Sequence, residues 1–385
     1  MASDAPIPLP WLDRLQAAAV LRQKQGRDRV IAPPAGLDVC SNDYLGLRRD
    51  PRLAEAAAEA ARSFGTGTGA ARLLRGTTPL HDGLEAALAA WKGAEACLLF
   101  NTGFQANSTL IPALLEPGDA VFSDALNHAS LVDGCRMAKA RGASVHIYRH
   151  LDLADLDHRL AAWHPTAPPE ALALAATDSV FSMDGDAADL PGLLELCERH
   201  RALLLVDEAH ATGLLGATGA GLAEHQGVHG RIPLVMGTLG KALGSFGAFV
   251  CAPASLREHL VNTARGFIFS TALPPPVVGA ALAGVHLAQT EPWRRERALS
   301  HARHLRAALG HPDAPSAIIP VPIGPDAEAM RVAGRLQALG FDVRAVRPPT
   351  VPEGSARLRI TTGAHLDPAE VEALAAALRA TLLRP

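Results

Sequence analysis

The sequence predicts an α/β fold, with a mostly parallel central sheet that has helices on both faces, followed by a smaller α+β domain. Between residues 96 and 252, short continuous apolar runs alternate with helical patterns, as expected of strands buried on both faces. From about residue 277, this alternation is replaced by a long helical stretch and then by short strands. The 385 residues also exceed the length at which a single core usually stops growing.

These patterns predict three segments. Residues 1–50 form an N-terminal arm, in which an amphipathic helix over 11–29 is separated from the body by "APPAG". Residues 51–285 form a large domain that begins with a helix over 51–64. Residues 286–385 form the small C-terminal domain.

The apolar runs of the large domain are predicted to be strands of one sheet. In chain order they are "ACLLF", "AVFSD", "SVHIYRH", "ALALAATDSVFSM", "ALLLV" and "PLVMG", and "FGAFVCAP" adds one more strand. Ligands of such sheets bind beyond the carboxyl ends of the strands. Asp207 stands at one of these ends, directly after the apolar residues 203–206.

The small domain begins with the helical stretch at about 277–310. Short strands are predicted at "SAIIPVPIG", "FDVRAVRP" and "ARLRITT". The last helix is predicted to begin at "DPAE", with Asp367 as its N-cap, Pro368 at its first position and Glu370 completing a capping box.

The composition narrows the class of protein. Hydrophobic residues make up 48% and charged residues 19% of the chain, which is typical of a packed globular protein. The net charge of −3 argues against a nucleic-acid partner. The five cysteines lack zinc-like spacing, so no metal is expected. The N-terminus has no secretory pattern, and no apolar run approaches the ~20 residues of a membrane span, so we expect a cytoplasmic protein without a membrane partner.

Residues 207–210 have the letters of the DEAH box of nucleotide-driven motors. Such a motor needs an upstream G-x-x-x-x-G-K-[ST] loop. The nearest match, Gly240-Lys241, lies downstream and is followed by Ala242 instead of a hydroxyl residue. The motor hypothesis is therefore rejected, and Glu208 is expected to be incidental.

Lys241, in "GTLGKALG", supports a different chemistry. It lies among small residues, where an amine is rarely retained unless it is paired or covalently used. Desolvation favours the neutral amine that forms a Schiff base. Pyridoxal phosphate needs such a lysine, an anion for its ring nitrogen and donors for its phosphate. The pattern therefore favours this cofactor.

Three side chains at strand ends complete this hypothesis. Asp207 is the predicted anion, which would keep the ring nitrogen protonated, and His210 could hydrogen bond the phenolic oxygen. His128 in "LNHASL" could stack on the ring. Structural alternatives stay open, because Asp207 could instead cap a turn and His128 could cap the following helix.

The phosphate would need backbone donors at the start of a helix. In "LLFNTGFQAN" a strand, a turn and a helix follow one another. Gly103 and Phe104 are therefore predicted to offer N–H groups, assisted by the hydroxyls of Thr238 and of Ser270 or Thr271.

Nine segments in chain order resemble the α-oxoamine synthases. They are "SNDYLGL", "GTGTGAARLLRGTTPLH", "TGFQAN", "NHASLVDG", "FSMDGD", "VDEAHATG", "GTLGKALG", "FSTALPP" and "ARLRITTGAH". The resemblance implies a homodimeric fold-type I pyridoxal-phosphate enzyme with shared active sites, which condenses an amino acid with an acyl thioester and releases CO2. The chain is most similar to the biotin-pathway branch, which joins L-alanine to a pimeloyl thioester on CoA or an acyl carrier protein.

The resemblance also implies roles for single residues in the large, cofactor-binding domain. Lys241 would bind the cofactor covalently and act as the base, with Asp207, His210 and His128 as catalytic partners. Ser182 would lie near the phenolic oxygen. From the partner subunit, Thr271 would reach the phosphate. The chain departs from the family pattern at Asp178, where a glutamate is expected.

Arginines would hold the substrate carboxylates. Arg359 would bind the carboxylate of the amino acid, for which a guanidinium fork is the geometric match, and Arg357 is the competing candidate. Arg29 would contact the far carboxylate of the acyl substrate. Three alternatives remain: a sibling synthase that uses glycine with acetyl-CoA or serine with a long acyl-CoA, an aminotransferase of the same fold, and a binding protein without catalysis.

Overall fold

The computed structural model describes residues 7–382. Packing divides the chain into two compact units. The larger unit comprises Ser41–Ile318 and Thr361–Val371, and the smaller one comprises the chain up to Cys40, Ile319–Ile360 and the chain from Glu372 onward. The predicted domain boundaries at residues 50 and 285 stay a prediction.

Helices and strands follow one another along the whole described chain. In chain order, the helices are α1 Leu9–Lys24, α2 Pro51–Phe64, α3 Pro79–Lys92, α4 Gly103–Leu114, α5 Ala129–Ala140, α6 Leu153–Trp163, α7 Leu190–Arg199, α8 Leu222–His225, α9 Ala254–Thr263, α10 Arg265–Ile268, α11 Pro275–Thr290, α12 Trp293–Leu309, α13 Asp326–Ala338 and α14 Pro368–Leu382. The strands are β1 Leu37–Asp38, β2 Ala96–Phe100, β3 Ala120–Asp124, β4 Ser144–Tyr148, β5 Ala173–Asp178, β6 Leu203–Asp207, β7 Leu234–Thr238, β8 Ala248–Ala252, β9 Ile318–Gly324, β10 Phe341–Asp342, β11 Ala345–Val346 and β12 Ala356–Thr361.

The larger unit is built on a seven-stranded sheet with the order β2-β8-β7-β6-β5-β3-β4. The pairs β3–β4, β3–β5, β5–β6 and β6–β7 are parallel. Strand β8 runs antiparallel to both of its neighbours, β7 and β2. The mostly parallel sheet is therefore confirmed, and "FGAFVCAP" supplies its single reversed strand.

Both faces of this sheet are buried, because successive residues of its strands enter different apolar clusters. In β6, Leu204 and Val206 belong to one buried cluster and Leu205 to the other. All three side chains are at most 1% exposed. Helices therefore cover both faces, which explains why the central strands appear in the sequence as unbroken apolar runs.

The smaller unit contains a three-stranded sheet with the order β11-β12-β9, in which β11 and β12 are antiparallel. Strands β1 and β10 pair in parallel and form a separate two-stranded ribbon. With α13 in the same unit, the smaller α+β fold is confirmed.

Two predicted helix boundaries can be compared with the structure. Helix α14 begins at Pro368 as predicted, and Glu370 Oε2 accepts a hydrogen bond of 2.7 Å from the backbone N–H of Asp367. Helix α1 ends at Lys24 rather than at residue 29, since the chain turns at Gly26 with a φ of +63°. It has no buried residue. Among residues 7–382, no helix has the length and apolarity needed to cross a membrane.

A buried ion pair joins α3 to the segment that follows β6. Lys92 Nζ donates to Glu208 Oε2 at 2.6 Å and to Thr212 Oγ1 at 2.8 Å. Glu208 Oε1 accepts from the backbone N–H of Ala223 at 2.9 Å. The expectation that Glu208 is incidental is wrong, because its partner lies 116 residues away in the sequence, where no local pattern indicates the contact.

Removing one member of this pair should strongly destabilise the protein. Lys92→Met leaves the Glu208 carboxylate buried without its cation, so we expect the free energy of unfolding to fall by about 3–5 kcal/mol in urea titrations. The double variant Lys92→Met/Glu208→Gln should recover part of this loss. Arg62→Ala removes exposed ion pairs to Glu55 and Glu59, which water screens, and should lower the free energy of unfolding far less than Lys92→Met. Equal losses in Lys92→Met and Arg62→Ala would contradict the assignment.

Candidate active site

The candidate site lies at the carboxyl ends of neighbouring strands. Strands β3, β5, β6 and β7 end in Asp124, Asp178, Asp207 and Thr238. The register of β5 and β6 places Asp178 directly opposite Asp207. Because parallel strands end at the same edge of a sheet, these polar residues are brought together there.

Asp207 is buried, with 3% of its surface exposed. Its Oδ2 accepts a hydrogen bond of 2.7 Å from Asn107 Nδ2, and its Oδ1 accepts one of 2.8 Å from the backbone N–H of Ala209. Both donors are neutral. The Ala209 contact confirms the alternative that Asp207 caps a turn. Because neither donor carries a charge, the carboxylate can still pair with a positive group.

Lys241 lies at one end of a series of side-chain contacts. Its Nζ is 2.8 Å from His210 Nε2, and His210 Nδ1 is 2.7 Å from the hydroxyl of Tyr44. The Tyr44 hydroxyl also donates to Asn42 Oδ1 at 3.2 Å. Tyr44 and His210 are buried and Lys241 is half-buried. The series fixes both imidazole nitrogens of His210, so the position of the lysine amine depends on Tyr44.

His128 precedes α5 and caps it, with its side chain accepting from the backbone N–H of Ser130 at 3.3 Å. The protein atoms packed around the ring lower the pKa of His128, and the Lys241 ammonium adds to this, whereas Asp207 opposes it. The charges of Asp207 and Lys241 therefore both act on the His128 ring. The helix-cap alternative is confirmed, and ring stacking stays a prediction.

Two residues of the site were not predicted. Asn107 Nδ2 donates to Ser130 Oγ at 3.0 Å as well as to Asp207, while its Oδ1 is buried with no hydrogen-bond partner among the described residues. Asp178 Oδ2 accepts from the backbone N–H of His128 at 2.6 Å. Burial and the charge of Asp207 raise the pKa of Asp178 well above its usual range. No motif pointed to Asn107, whereas Asp178 was noticed only as a departure from the family.

The predicted phosphate donors lie at the start of α4. The helix begins at Gly103 after Thr102, whose hydroxyl accepts from the backbone N–H of Gln105 at 3.0 Å. The N–H groups of the first helical positions have no acceptor within the helix, so those of Gly103 and Phe104 can serve an anion. A Cβ on Gly103 would lie 3.6 Å from Met236 Cε in β7, the strand that Thr238 ends.

The remaining predicted residues of the larger unit lie in turns. Ser182 is half-buried in the turn after β5. Thr271 is exposed and forms an isolated antiparallel β-bridge with Ala71. Its backbone carbonyl accepts a hydrogen bond of 2.9 Å from Asn101 Nδ2. Ser270 Oγ accepts from Gln105 Nε2 at 2.6 Å. Thr271 and Ser270 therefore flank the turn between β2 and α4 of their own chain.

The three predicted arginines belong to the smaller unit. Arg359 lies in β12 with 8% of its surface exposed, and Arg357 of the same strand is half-buried and donates from Nε to the Ser355 carbonyl at 3.2 Å. Arg29 is exposed in the connection between α1 and β1. Their roles in substrate binding stay predictions.

Known proteins resemble this chain over most of its length. The family described as Aminotransferase class I and II matches residues 34–378. The 8-amino-7-oxononanoate synthase of Anaeromyxobacter dehalogenans is 51% identical over 90% of this chain and 86% of the relative, and that of Trichlorobacter lovleyi is 47% identical over 88% and 87%. A solved serine palmitoyltransferase from S. paucimobilis with bound PLP and myriocin has a TM-score of 0.88 and 31% identity, and the match covers 98% of each chain. The chain therefore belongs to the aminotransferase class I and II family and, within it, to the α-oxoamine synthases.

Proposed function

We propose that this chain catalyses the decarboxylative condensation of L-alanine with a pimeloyl thioester in biotin synthesis. The products are 8-amino-7-oxononanoate, CO2 and the free thiol carrier. Relatives that carry this enzyme name are 51% and 47% identical to the chain over most of their own lengths. The single observation of the site that carries the proposal is the contact of Lys241 with His210, at the strand end that holds the buried carboxylate of Asp207.

The residues present fit pyridoxal phosphate as the cofactor. The contacts of Asp207 come from neutral donors, so a protonated ring nitrogen would supply the missing positive charge. Among residues 7–382, the buried Oδ1 of Asn107 has no hydrogen-bond partner, so it offers an acceptor beside Asp207 to a bound group. Gly103 and Phe104 offer the helix N-terminus for the phosphate, with Thr238 at the end of the adjacent strand β7.

When bound through Lys241, pyridoxal phosphate supplies an electron sink for bond cleavage at Cα of the amino acid. Lys241 Nζ would take the Cα proton of the amino acid and would return a proton before product release. His210 orients this amine through the 2.8 Å contact, and Tyr44 orients His210. Asp207 would hold the proton on the ring nitrogen, and Asn107 holds Asp207 in place through its hydrogen bond.

The remaining predicted residues have roles around the ring and at the substrate carboxylates. His128 would cover one face of the ring, and Ser182 and His210 would hydrogen bond its phenolic oxygen. Arg359 binds the carboxylate of L-alanine, because a guanidinium matches two carboxylate oxygens at once, and Arg29 takes the far carboxylate of the pimeloyl group. An increase in KM for L-alanine without an equal loss of kcat in Arg359→Lys would separate binding from a structural role.

We also propose a homodimer, with Thr271 reaching the phosphate in the partner subunit. Two large apolar side chains support this, since Leu74 is 83% and Phe269 is 69% exposed. Leu74 follows Ala71 and Phe269 precedes Thr271, and an isolated β-bridge pairs Ala71 with Thr271. The two apolar side chains therefore lie on the segments next to Thr271. Exposed apolar side chains that lie close together often mark a protein interface. A mass of one chain in sedimentation experiments at micromolar concentration would contradict the dimer.

A sibling synthase is the second candidate, because the solved serine palmitoyltransferase resembles the chain with a TM-score of 0.88. Both reactions would use the same lysine and release CO2. They differ in the amino acid and the acyl chain, so only substrate preference separates them.

A thioester panel tests the proposed function. Pimeloyl, acetyl and palmitoyl thioesters, each on CoA and on acyl carrier protein, are combined with alanine, glycine and serine, and CO2 release is measured. We expect pimeloyl with alanine to give the highest kcat/KM. A preference for serine with palmitoyl would favour the second candidate, and transamination of a 2-oxo acid without CO2 would contradict both.

Replacing the lysine should abolish the reaction. Lys241→Ala removes the covalent attachment of the cofactor and the general base together, so kcat should fall by at least about 10³-fold. The variant should also lose the visible absorption of a lysine-bound cofactor. Lys139→Ala, at an exposed position in the last turn of α5, is the matched control and should keep both properties. Unchanged absorption in Lys241→Ala would show that another group holds the cofactor.

A further inference from the structure

His150 lies between two carboxylates that have no part in the mechanism above. Its Nδ1 is 2.9 Å from Asp124 Oδ1, and its Nε2 is 2.9 Å from Asp186 Oδ2. The edge of the ring meets the Phe181 ring at a centroid distance of 4.4 Å. An imidazole can donate to a carboxylate at both nitrogens only when it is doubly protonated. His150 is therefore an imidazolium that joins two anions.

The first carboxylate fixes the β3 turn, which we define as residues 125–128. Asp124 ends β3 and its side chain is 1% exposed. Its Oδ1 also accepts from the backbone N–H of Leu126 at 2.8 Å, and its Oδ2 accepts from that of Leu151 at 2.9 Å. The β3 turn ends with His128, so Asp124 links the position of His128 to that of His150.

The second carboxylate belongs to the β5 turn, defined as residues 179–187, which contains Ser182. The backbone N–H of Phe181 donates to the carbonyl of Asp186 at 3.0 Å, and Val180 bridges Ala187. These contacts close the turn on itself. Asp186 Oδ2 joins it to His150, while Asp186 Oδ1 is buried with no hydrogen-bond partner among the described residues.

We propose that His150 is a positioning residue, whose imidazolium joins the β3 turn to the β5 turn through Asp124 and Asp186. It thereby sets the separation of His128 and Ser182, which in the proposed site would contact the face of the cofactor ring and its phenolic oxygen. The cofactor role rests on the proposed function; the joining of the two turns does not.

The charges around the ring support this assignment. Burial lowers the pKa of His150, but hydrogen bonds to Asp124 and Asp186 and the charges of both raise it to about 9. The groups that face the ring are Asp124 from β3, and Asp186 and Phe181 from the β5 turn. The pKa of His150 in the folded protein lies above that of a free histidine. The imidazolium therefore joins Asp124 and Asp186 fully below the free-histidine pKa, and this connection is lost as the pH rises through about 9.

His150→Gln tests the proposal, since a carboxamide is neutral and cannot donate to both carboxylates. Hydrogen–deuterium exchange in the cofactor-free protein should become faster in the β3 and β5 turns, but not elsewhere in the sheet. The Kd for pyridoxal phosphate, from titration of the same protein, should rise about tenfold, as expected for the loss of charge-assisted hydrogen bonds. His158→Gln, at an exposed position in α6, is the matched control and should change neither quantity.

A second variant covers the case in which His150→Gln does not fold. Asp186→Asn alters a side chain that is 38% exposed and keeps an acceptor while removing its charge. It should change exchange and Kd in the same direction by a smaller factor. In the wild-type protein, the protection of the two turns, measured against the intrinsic exchange rate at each pH, should fall above pH 9, and this step should be missing in His150→Gln.

The outcomes separate this inference from the proposed function. A lower melting temperature in His150→Gln, with exchange of the turns and Kd both equal to those of His158→Gln, would show a merely structural role and overturn the inference. Wild-type protein that binds pyridoxal phosphate without condensing L-alanine would overturn the proposed function alone. Wild-type protein that does not bind the cofactor would overturn the proposed function and the cofactor role of His150, whereas exchange of the two turns would still decide whether His150 joins them.

Discussion

The burial of the Asp207 carboxylate is the constraint on which the candidate site depends. A charge at the end of a central strand is costly unless donors and a counter-charge surround it. Asn107 and the backbone of Ala209 supply the donors. Burial raises the pKa of the neighbouring Asp178, and the charge of Asp207 on the adjacent strand raises it further. The arrangement fits the proposed cofactor, whose protonated ring nitrogen would supply the counter-charge.

The order of the strands brings the other groups to this carboxylate. Strand β7 lies beside β6, so the segment after β7 delivers Lys241 to the same edge of the sheet. His210 follows Asp207 by three residues and meets the lysine amine at 2.8 Å. Tyr44, far earlier in the chain, completes the series at 2.7 Å from His210. A rigid parallel sheet thus holds residues from distant parts of the chain in one arrangement.

Residues that follow apolar strands were predictable from the sequence, and their partners were not. The runs before Asp207 and Thr238 indicated the strands, and the small residues around Lys241 indicated a site for a flat ligand. Glu208 was misjudged, because only tertiary packing brings Lys92 to 2.6 Å from it. Asn107 escaped notice because an amide within a helix carries no local signal of burial beside a carboxylate.

The sequence by itself determined the class of fold, the position of Asp207 at a strand end, that of Lys241 shortly after another strand, and the family resemblance, because apolar periodicity and short motifs are local properties. The tertiary structure decided which side chains meet. The pairing of Lys92 with Glu208, the contact of Tyr44 with His210 and the place of His150 between two carboxylates each join separate segments. Such contacts depend on strand order and on helix packing across the sheet, and neither is a property of any short stretch of chain.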